Sequence, residues 1–313
     1  MRTVELPVQA VGSVEKITGW ISGETTCTLN YWIAEYKEGI INLHLPAGKT
    51  YQFGDKGLEA SWIVKSEAAI KRIARDWEYY LGETYVNGEW DVADCDLRDL
   101  LRVLRCNFTK ISRTGWLSSV ARNLQQWNRI TRSYRNVAHH YDLADYREYK
   151  CRYDRLVSVG MFEHVVRPYY SLYFERIREM LQADGVALIH SIGRSGPPDT
   201  TNPWIRKYIF PGGNIPALSE MSRAAEESEL MITDVEMLRL HYMHTQHCWY
   251  DRFQQNRSEI KARMGERFCR MWEFYLSICE VAFQYSDLVV FQMQLAQQHN
   301  VVPITRDYLY SDS

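Results

Sequence analysis

The chain has 313 residues, 46% of them apolar, and carries a formal net charge of −2 at neutral pH. That is apolar content enough for two soluble cores, while no run of about 18 apolar residues exists to cross a bilayer. Near-neutral charge offers no global attraction to polyanions, so no nucleic acid is expected as a partner.

The first 110 residues read as an α+β unit. Residues Gly39 to Phe53 alternate around Pro46-Ala-Gly48, the pattern of a hairpin. A single helix is expected from Ser66, whose hydroxyl can cap it, to Tyr80, with Ile70, Ile73, Trp77 and Tyr80 on one face. A turn-rich stretch follows from Gly82 to Asp91. Asp96 then opens a helix through Leu97, Leu100, Leu101 and Leu104. Glu83 and Asp91 read as solvated or capping carboxylates.

Between Phe108 and Tyr141 stand Lys110, Arg113, Arg122, Arg129, Arg132 and Arg135, with no Asp or Glu. Trp116, Leu117, Val120, Leu124, Trp127 and Ile130 recur at three- and four-residue spacing, an apolar stripe beside a basic face. Residues 111–143 are therefore expected to be a basic amphipathic connector. It is either an interfacial helix facing anionic lipid or an ordinary helix packed between domains. Seven scattered cysteines without a C-x-x-C pair fit a reducing compartment, and the opening Met-Arg-Thr-Val-Glu-Leu-Pro lacks a signal peptide's apolar core. The expected location is the cytoplasm, peripheral to the membrane.

From 144 to 313 an α/β domain is expected. Leu156-Val-Ser-Val-Gly160 is a strand-like run that ends on glycine and then presents Glu163 and His164. Val186-Ala-Leu-Ile-His190-Ser-Ile192-Gly193 makes the same delivery. Buried parallel strands bring polar groups to the carboxyl edge of a sheet in this way, and open α/β folds bind ligands there.

With these runs come Trp204-Ile-Arg-Lys-Tyr-Ile-Phe-Pro-Gly-Gly213, Asp234-Val-Glu-Met-Leu-Arg-Leu-His-Tyr242 and Met271-Trp-Glu-Phe-Tyr-Leu-Ser-Ile-Cys279-Glu-Val-Ala-Phe283. In that order the sequence resembles the cyclopropane-fatty-acyl-phospholipid synthases, enzymes that depend on S-adenosylmethionine. The resemblance covers most of the chain and implies a Rossmann-like methyltransferase domain preceded by a smaller α+β domain. It breaks between Leu143 and Ala144, where roughly three βα units of ~30 residues each are missing. These would carry the first strands and the Gly-x-Gly-x-Gly cofactor loop. No two glycines of this sequence are spaced Gly-x-Gly. Either the chain has an internal deletion or a longer protein is written here without a segment. Because an unpaired apolar parallel edge invites aggregation, the second account is favoured and predicts a chain break or strong distortion at that junction.

The resemblance implies methylene transfer to a cis double bond of a phospholipid acyl chain, with bicarbonate as the general base. Its ligands fall on Glu163, His190, the backbone of Ile192, and Tyr242. A glutamate can accept the ion's O–H while histidine and tyrosine donate to its charged oxygens. Cys279 matches a family cysteine assigned to the active site, although on so apolar a helix an inert buried thiol fits as well. For the cofactor, Asp145 and Tyr146 match the position that lies against the adenine. Gly160 permits close backbone approach, and Tyr141 is a further candidate. Residues Ile205 to Pro211 are the expected lid or acyl-tunnel segment, and Arg194 to Asn202 a mobile loop. No metal site is expected, because the spacing of His241, His244 and His247 completes no tetrahedral set. A homodimer is implied by the resemblance alone. Two alternatives stay open: methyl-branch formation on the same olefin, and a catalytically dead lipid-binding remnant without the cofactor cradle.

Overall fold

The computed structural model describes residues 9–10, 38–46, 48–108, 146 and 150–310. The basic stretch 111–143, Tyr141, Asp145 and the Leu143–Ala144 junction lie outside the described residues.

The chain is mixed α/β and folds as two units. The first holds the described residues through 108, together with Asn202–Ile209 and Met243–Ser286. Its sheet has strands β1 (Gln9–Ala10), β2 (Gly39–Leu45), β3 (Lys49–Lys56), β4 (Glu59–Val64) and β5 (Trp90–Ala93) in the order β1-β3-β2-β4-β5. The expected hairpin is β2–β3, antiparallel with Leu45 opposite Lys49. Alternation along β4 buries Ala60, Trp62 and Val64 on one face. Helix Leu97–Phe108 lays Leu97, Leu100, Leu101 and Leu104 into the same core, and the Arg98 N–H donates to Asp96 Oδ1 at 2.8 Å in its first turn.

The helix expected from Ser66 to Tyr80 is instead two, Glu67–Arg75 and Trp77–Val86. Asp76 leaves helical geometry at φ −153° and accepts a hydrogen bond from the Tyr79 N–H, starting the second helix. The Ser66 side chain makes no cap bond. An Asp competing for the backbone in this way is a local break that apolar spacing does not register.

Carboxyl-terminal helices join this unit because their apolar faces need cover. Helix Glu266–Tyr285 buries Phe274, Leu276 and Val281, and Phe274 meets Trp204 with ring centroids 4.8 Å apart. Trp204 is fully buried on helix Pro203–Tyr208, and Ile205, Tyr208 and Ile209 pack against the same core, so the start of the expected lid is a core helix here. Gly82 lies where these rings converge. A Cβ there would stand 2.6 Å from Phe274 Cε1 and 2.7 Å from Trp204 Cδ1. Gly82→Ala gains about 1 kcal/mol of helix propensity but forces aromatic rings apart, a strain of about 1–3 kcal/mol. A net loss of stability in urea unfolding is expected, and an equal or higher midpoint would refute the close-packing argument.

The second unit holds Tyr146, residues 150–201 and 287–310, and Phe210–Tyr242. Its strands are β6 (Tyr153–Val159), β7 (Leu181–Arg194), β8 (Met231–Leu238) and β9 (Leu288–Ala296), in the order β6-β7-β9-β8. β6 and β7 are parallel, joined by a crossover through helix Tyr170–Met180, and β9 runs antiparallel between β7 and β8. β6, β7 and β8 therefore all point their carboxyl ends to one edge. Ala187, Ile189, Phe291, Met293 and Leu295 face a core closed by helices Tyr170–Met180 and Leu218–Glu227. On β6, Val157 and Val159 are 64% and 62% exposed, the apolar edge that the sequence leads one to expect.

Candidate active site

The strand run ends at Gly160, whose φ of +68° turns the chain out of the sheet. Its N–H still donates to the His190 carbonyl at 3.0 Å. The next residues form the single turn Phe162–His164, with Phe162 buried as its anchor. β6 has now stopped, so the next β7 donor facing that side, the Ile192 N–H, has lost its ladder partner. Glu163 Oε1 takes it at 2.7 Å. The Glu163 carbonyl in turn accepts from the Asn214 N–H at 2.9 Å, and the Asn214 amide donates to the Tyr170 hydroxyl at 2.5 Å. Glu163 is thus held from both its backbone and its side chain.

Burial pushes the Glu163 carboxyl above the ordinary carboxylate range, against the lowering effects of the Ile192 N–H, its own N–H and the nearby Ser191 hydroxyl. Its other oxygen, Oε2, is buried with no hydrogen-bond partner among the described residues. Buried polar atoms are nearly always paired, so this oxygen suits a small ligand that brings its own polar group.

His190 lies on β7 opposite Val159 on one side and Gln292 on the other. Its Nδ1 is 3.2 Å from Gln292 Nε2, and burial pushes its imidazole below the usual histidine range. Tyr242 stands in the first turn of helix His241–Met264, four residues beyond the end of β8. The topology therefore brings Glu163, His190, Ile192 and Tyr242 to one sheet edge, with the Glu163–Ile192 bond formed directly.

Cys279 belongs to the other unit, on helix Glu266–Tyr285. Burial pushes its thiol up to about 12, so it is protonated at neutral pH and fits the inert reading. His247 is engaged by Glu280 at 3.0 Å and Arg98 at 2.9 Å. Among the described residues no group of three or more metal-ligating side chains exists.

Of the cofactor candidates, Gly160 and Tyr146 are described. A Cβ at Gly160 would meet nothing within 4 Å among the described residues, which suits close approach by a ligand. Tyr146 is anchored on Tyr173, ring centroids 5.4 Å apart. The sequence holds no Gly-x-Gly loop. The tract expected to be mobile is tied down: Arg194 holds Asp287 at 3.2 Å, Ser195 N–H donates to the Asp287 carbonyl at 2.9 Å, and Arg167 donates to the Asp199 carbonyl at 2.7 Å. Asn214, Tyr170 and Gln292 were not legible as site residues, because each acts through a partner distant in sequence.

A mixed sheet that gathers a buried carboxylate, an imidazole and a phenol at the carboxyl edge of its parallel strands defines an α/β protein with a Rossmann-like binding edge. The family model for mycolic acid cyclopropane synthetase matches residues 117–293, more than half of the chain, and the chain belongs to that family. It is 38% identical over 151 residues to the cyclopropane-fatty-acyl-phospholipid synthase of Escherichia coli K12, covering 48% of this chain and 39% of that protein. It is 33% identical over 179 residues to a probable fatty acid methyltransferase of Pseudomonas putida, covering 54% and 45%. With the tuberculostearic acid methyltransferase UfaA1 of Mycobacterium tuberculosis it shares 36% identity over 164 residues, 50% and 38% of the two chains. Among solved structures, the cyclopropane synthase MmaA2 of Mycobacterium tuberculosis overlaps 49% of this chain and 59% of its own at a TM-score of 0.45 and 28% identity. The chain thus spans about two fifths of the length of the curated relatives it matches.

Proposed function

We propose that this chain acts on a cis double bond of a phospholipid acyl chain, adding a methylene group in an S-adenosylmethionine-dependent reaction with bicarbonate as the base. The observation that carries this reading is the buried Glu163 carboxyl, fixed by the Ile192 N–H through one oxygen and unpartnered among the described residues at the other. A carboxyl in that state accepts the O–H of bicarbonate at Oε2, while His190 and Tyr242 donate to the ion's charged oxygens. S-adenosylmethionine, when bound, supplies the methyl group. The side chains of this protein hold the ion, and the ion takes the proton: a C–H bond of the added methyl group breaks, its electron pair closes the ring onto the cationic carbon, and bicarbonate becomes carbonic acid.

Burial counts beside the residue types: Glu163 Oε2 is withdrawn from water, which strengthens a hydrogen bond made to it. The names of the Pseudomonas and Mycobacterium relatives favour a second reading, a methyl branch formed on the same olefin without ring closure. Acyl-chain modification implies work at an anionic membrane surface. Among the described residues no helix is long and apolar enough to cross a bilayer.

The test is incubation of the full chain with vesicles of a cis-monounsaturated phospholipid and S-adenosylmethionine, with and without bicarbonate. Cyclopropyl protons in the lipid NMR spectrum, dependent on bicarbonate, are the expected result. Methyl-branch signals would establish the second reading. Absence of any lipid product, with ¹³C-bicarbonate still bound, would leave the chain as a remnant that keeps the ion site and has lost catalysis.

A further inference from the structure

The sheet register sets a transverse row on the open face: Val159 on β6, His190 on β7, Gln292 on β9 and Glu236 on β8. Within this row His190 and Gln292 share a side-chain hydrogen bond, 3.2 Å from Gln292 Nε2 to His190 Nδ1. An amide nitrogen donates and does not accept, so the histidine nitrogen that faces it must offer a lone pair. In a neutral imidazole the proton then sits on the other nitrogen, Nε2.

We infer that Gln292 is a positioning residue that fixes His190 as the Nε2–H tautomer, so that a neutral ring presents a hydrogen-bond donor to the anion held by Glu163. This inference rests on the proposed bicarbonate site and adds a residue to it. The physical gain is in charge as well as direction. An imidazolium would also donate, but it could pass its own proton to the ion and so lower the ion's capacity to act as a base. A neutral ring locked by a neutral amide donates without that competition. A carboxylate in place of Gln292 would reverse the arrangement: it accepts from Nδ1–H and favours the charged ring.

Nothing in the local sequence marks Gln292. It sits in Phe291-Gln-Met-Gln-Leu295, a half-buried strand where glutamine alternates with apolar residues. Gln294, two residues on, serves as a contrast: its side chain bonds Tyr308 at 3.2 Å and Thr233 at 2.8 Å, away from His190. Two glutamines on one face of one strand thus have different partners, and the register assigns only Gln292 to the histidine.

The experiment uses full-length protein labelled with ¹⁵N at histidine, with the His190 resonances assigned by their loss in His190→Gln. Long-range ¹H–¹⁵N spectra read the tautomer directly. In the parent protein the proton is expected on Nε2. In Gln292→Glu it should move to Nδ1, and the His190 titration midpoint should rise by about 1–3 pH units, as for a group gaining an adjacent opposite charge. In Gln292→Leu the two tautomers should mix, with little change in midpoint. A parent ring protonated on Nδ1, or the same tautomer and midpoint in all three proteins, would overturn the inference. Addition of ¹³C-bicarbonate separates this from the function proposed above. A shift of His190 Nε2 in the parent that weakens at least tenfold in apparent affinity in Gln292→Glu supports both. A Gln292-dependent tautomer with no response to bicarbonate keeps the positioning role and removes the ion.

Discussion

Glu163→Gln is expected to lower turnover by about 10²–10⁴-fold, the range a positioned base contributes, while the folded protein becomes no less stable. Glutamine keeps an acceptor for the Ile192 N–H, which Glu163 Oε1 now takes at 2.7 Å. At the second position it places an amide donor where a bicarbonate O–H would need an acceptor, so the ion is misoriented. The stability part follows from burial, which raises the Glu163 carboxyl pKa in the folded protein. The folded state then holds its proton more tightly than the unfolded chain does. Its contribution is therefore fully present below the unfolded carboxylate pKa and is lost as pH rises through the raised folded value. Above that window the parent carries a buried charge that the glutamine variant lacks. Thermal melts of the two proteins should thus converge in acid and separate toward neutral pH, with the variant equal or higher. A variant that melts lower at neutral pH than in acid, relative to the parent, would mean that the carboxylate is stabilised in the fold and that the reading of this site is wrong.

Arg270→Met is expected to cost about 3–5 kcal/mol, the effect of breaking a buried charged network by removing one partner. Arg270 is only 9% exposed, and its guanidinium donates to three acceptors: the Tyr85 carbonyl at 2.6 Å, Asp91 Oδ1 at 2.7 Å and the Trp90 carbonyl at 2.7 Å. It also lies 4.0 Å from the centre of the Tyr85 ring. Methionine fills much of the volume but leaves two buried carbonyls and a carboxylate short of a donor. Arg270→Lys should recover little, because a single ammonium cannot reproduce the planar fork. Urea unfolding with an unchanged slope reads the loss directly. A shift below about 1 kcal/mol for the methionine variant would show that water replaces the lost donor at small cost.

How much of this was legible in advance depends on the range of the interaction. Leu156 to Gly160 and Val186 to Gly193 announce themselves as strands because each is a short apolar run closed by glycine, and both lie within the observed β6 and β7 or directly at their ends. That Glu163 and Ile192 come to one sheet edge could be anticipated from the strand ends; that the Ile192 N–H, expected as a ligand of the ion, goes to Glu163 itself could not. The break at Asp76 could not, since a period of 3.6 continues through it on either side. Ile205 to Pro211 read as a lid because proline and glycine bracket the segment, yet its first turn shares a helix with the fully buried Trp204. The role of that tryptophan is set by Phe274, which the sequence places 70 positions away. Arg270 gave no signal at all: its three acceptors come from the helix Trp77–Val86 and strand β5, about 180 residues earlier.

Assembly during synthesis has its own order in such a sheet. β9 follows both β7 and β8 in the chain, yet it lies between them in the sheet, and His190 and Gln292 are 102 residues apart. β6, its crossover helix and β7 are close in sequence and can pair early, whereas contacts spanning so long a loop form late. A nascent chain that has not yet released β9 from the ribosome therefore holds β7 and β8 with nothing to join them. The carboxylate is in place first, the imidazole with it, and the amide that orients the imidazole arrives only once β9 has emerged.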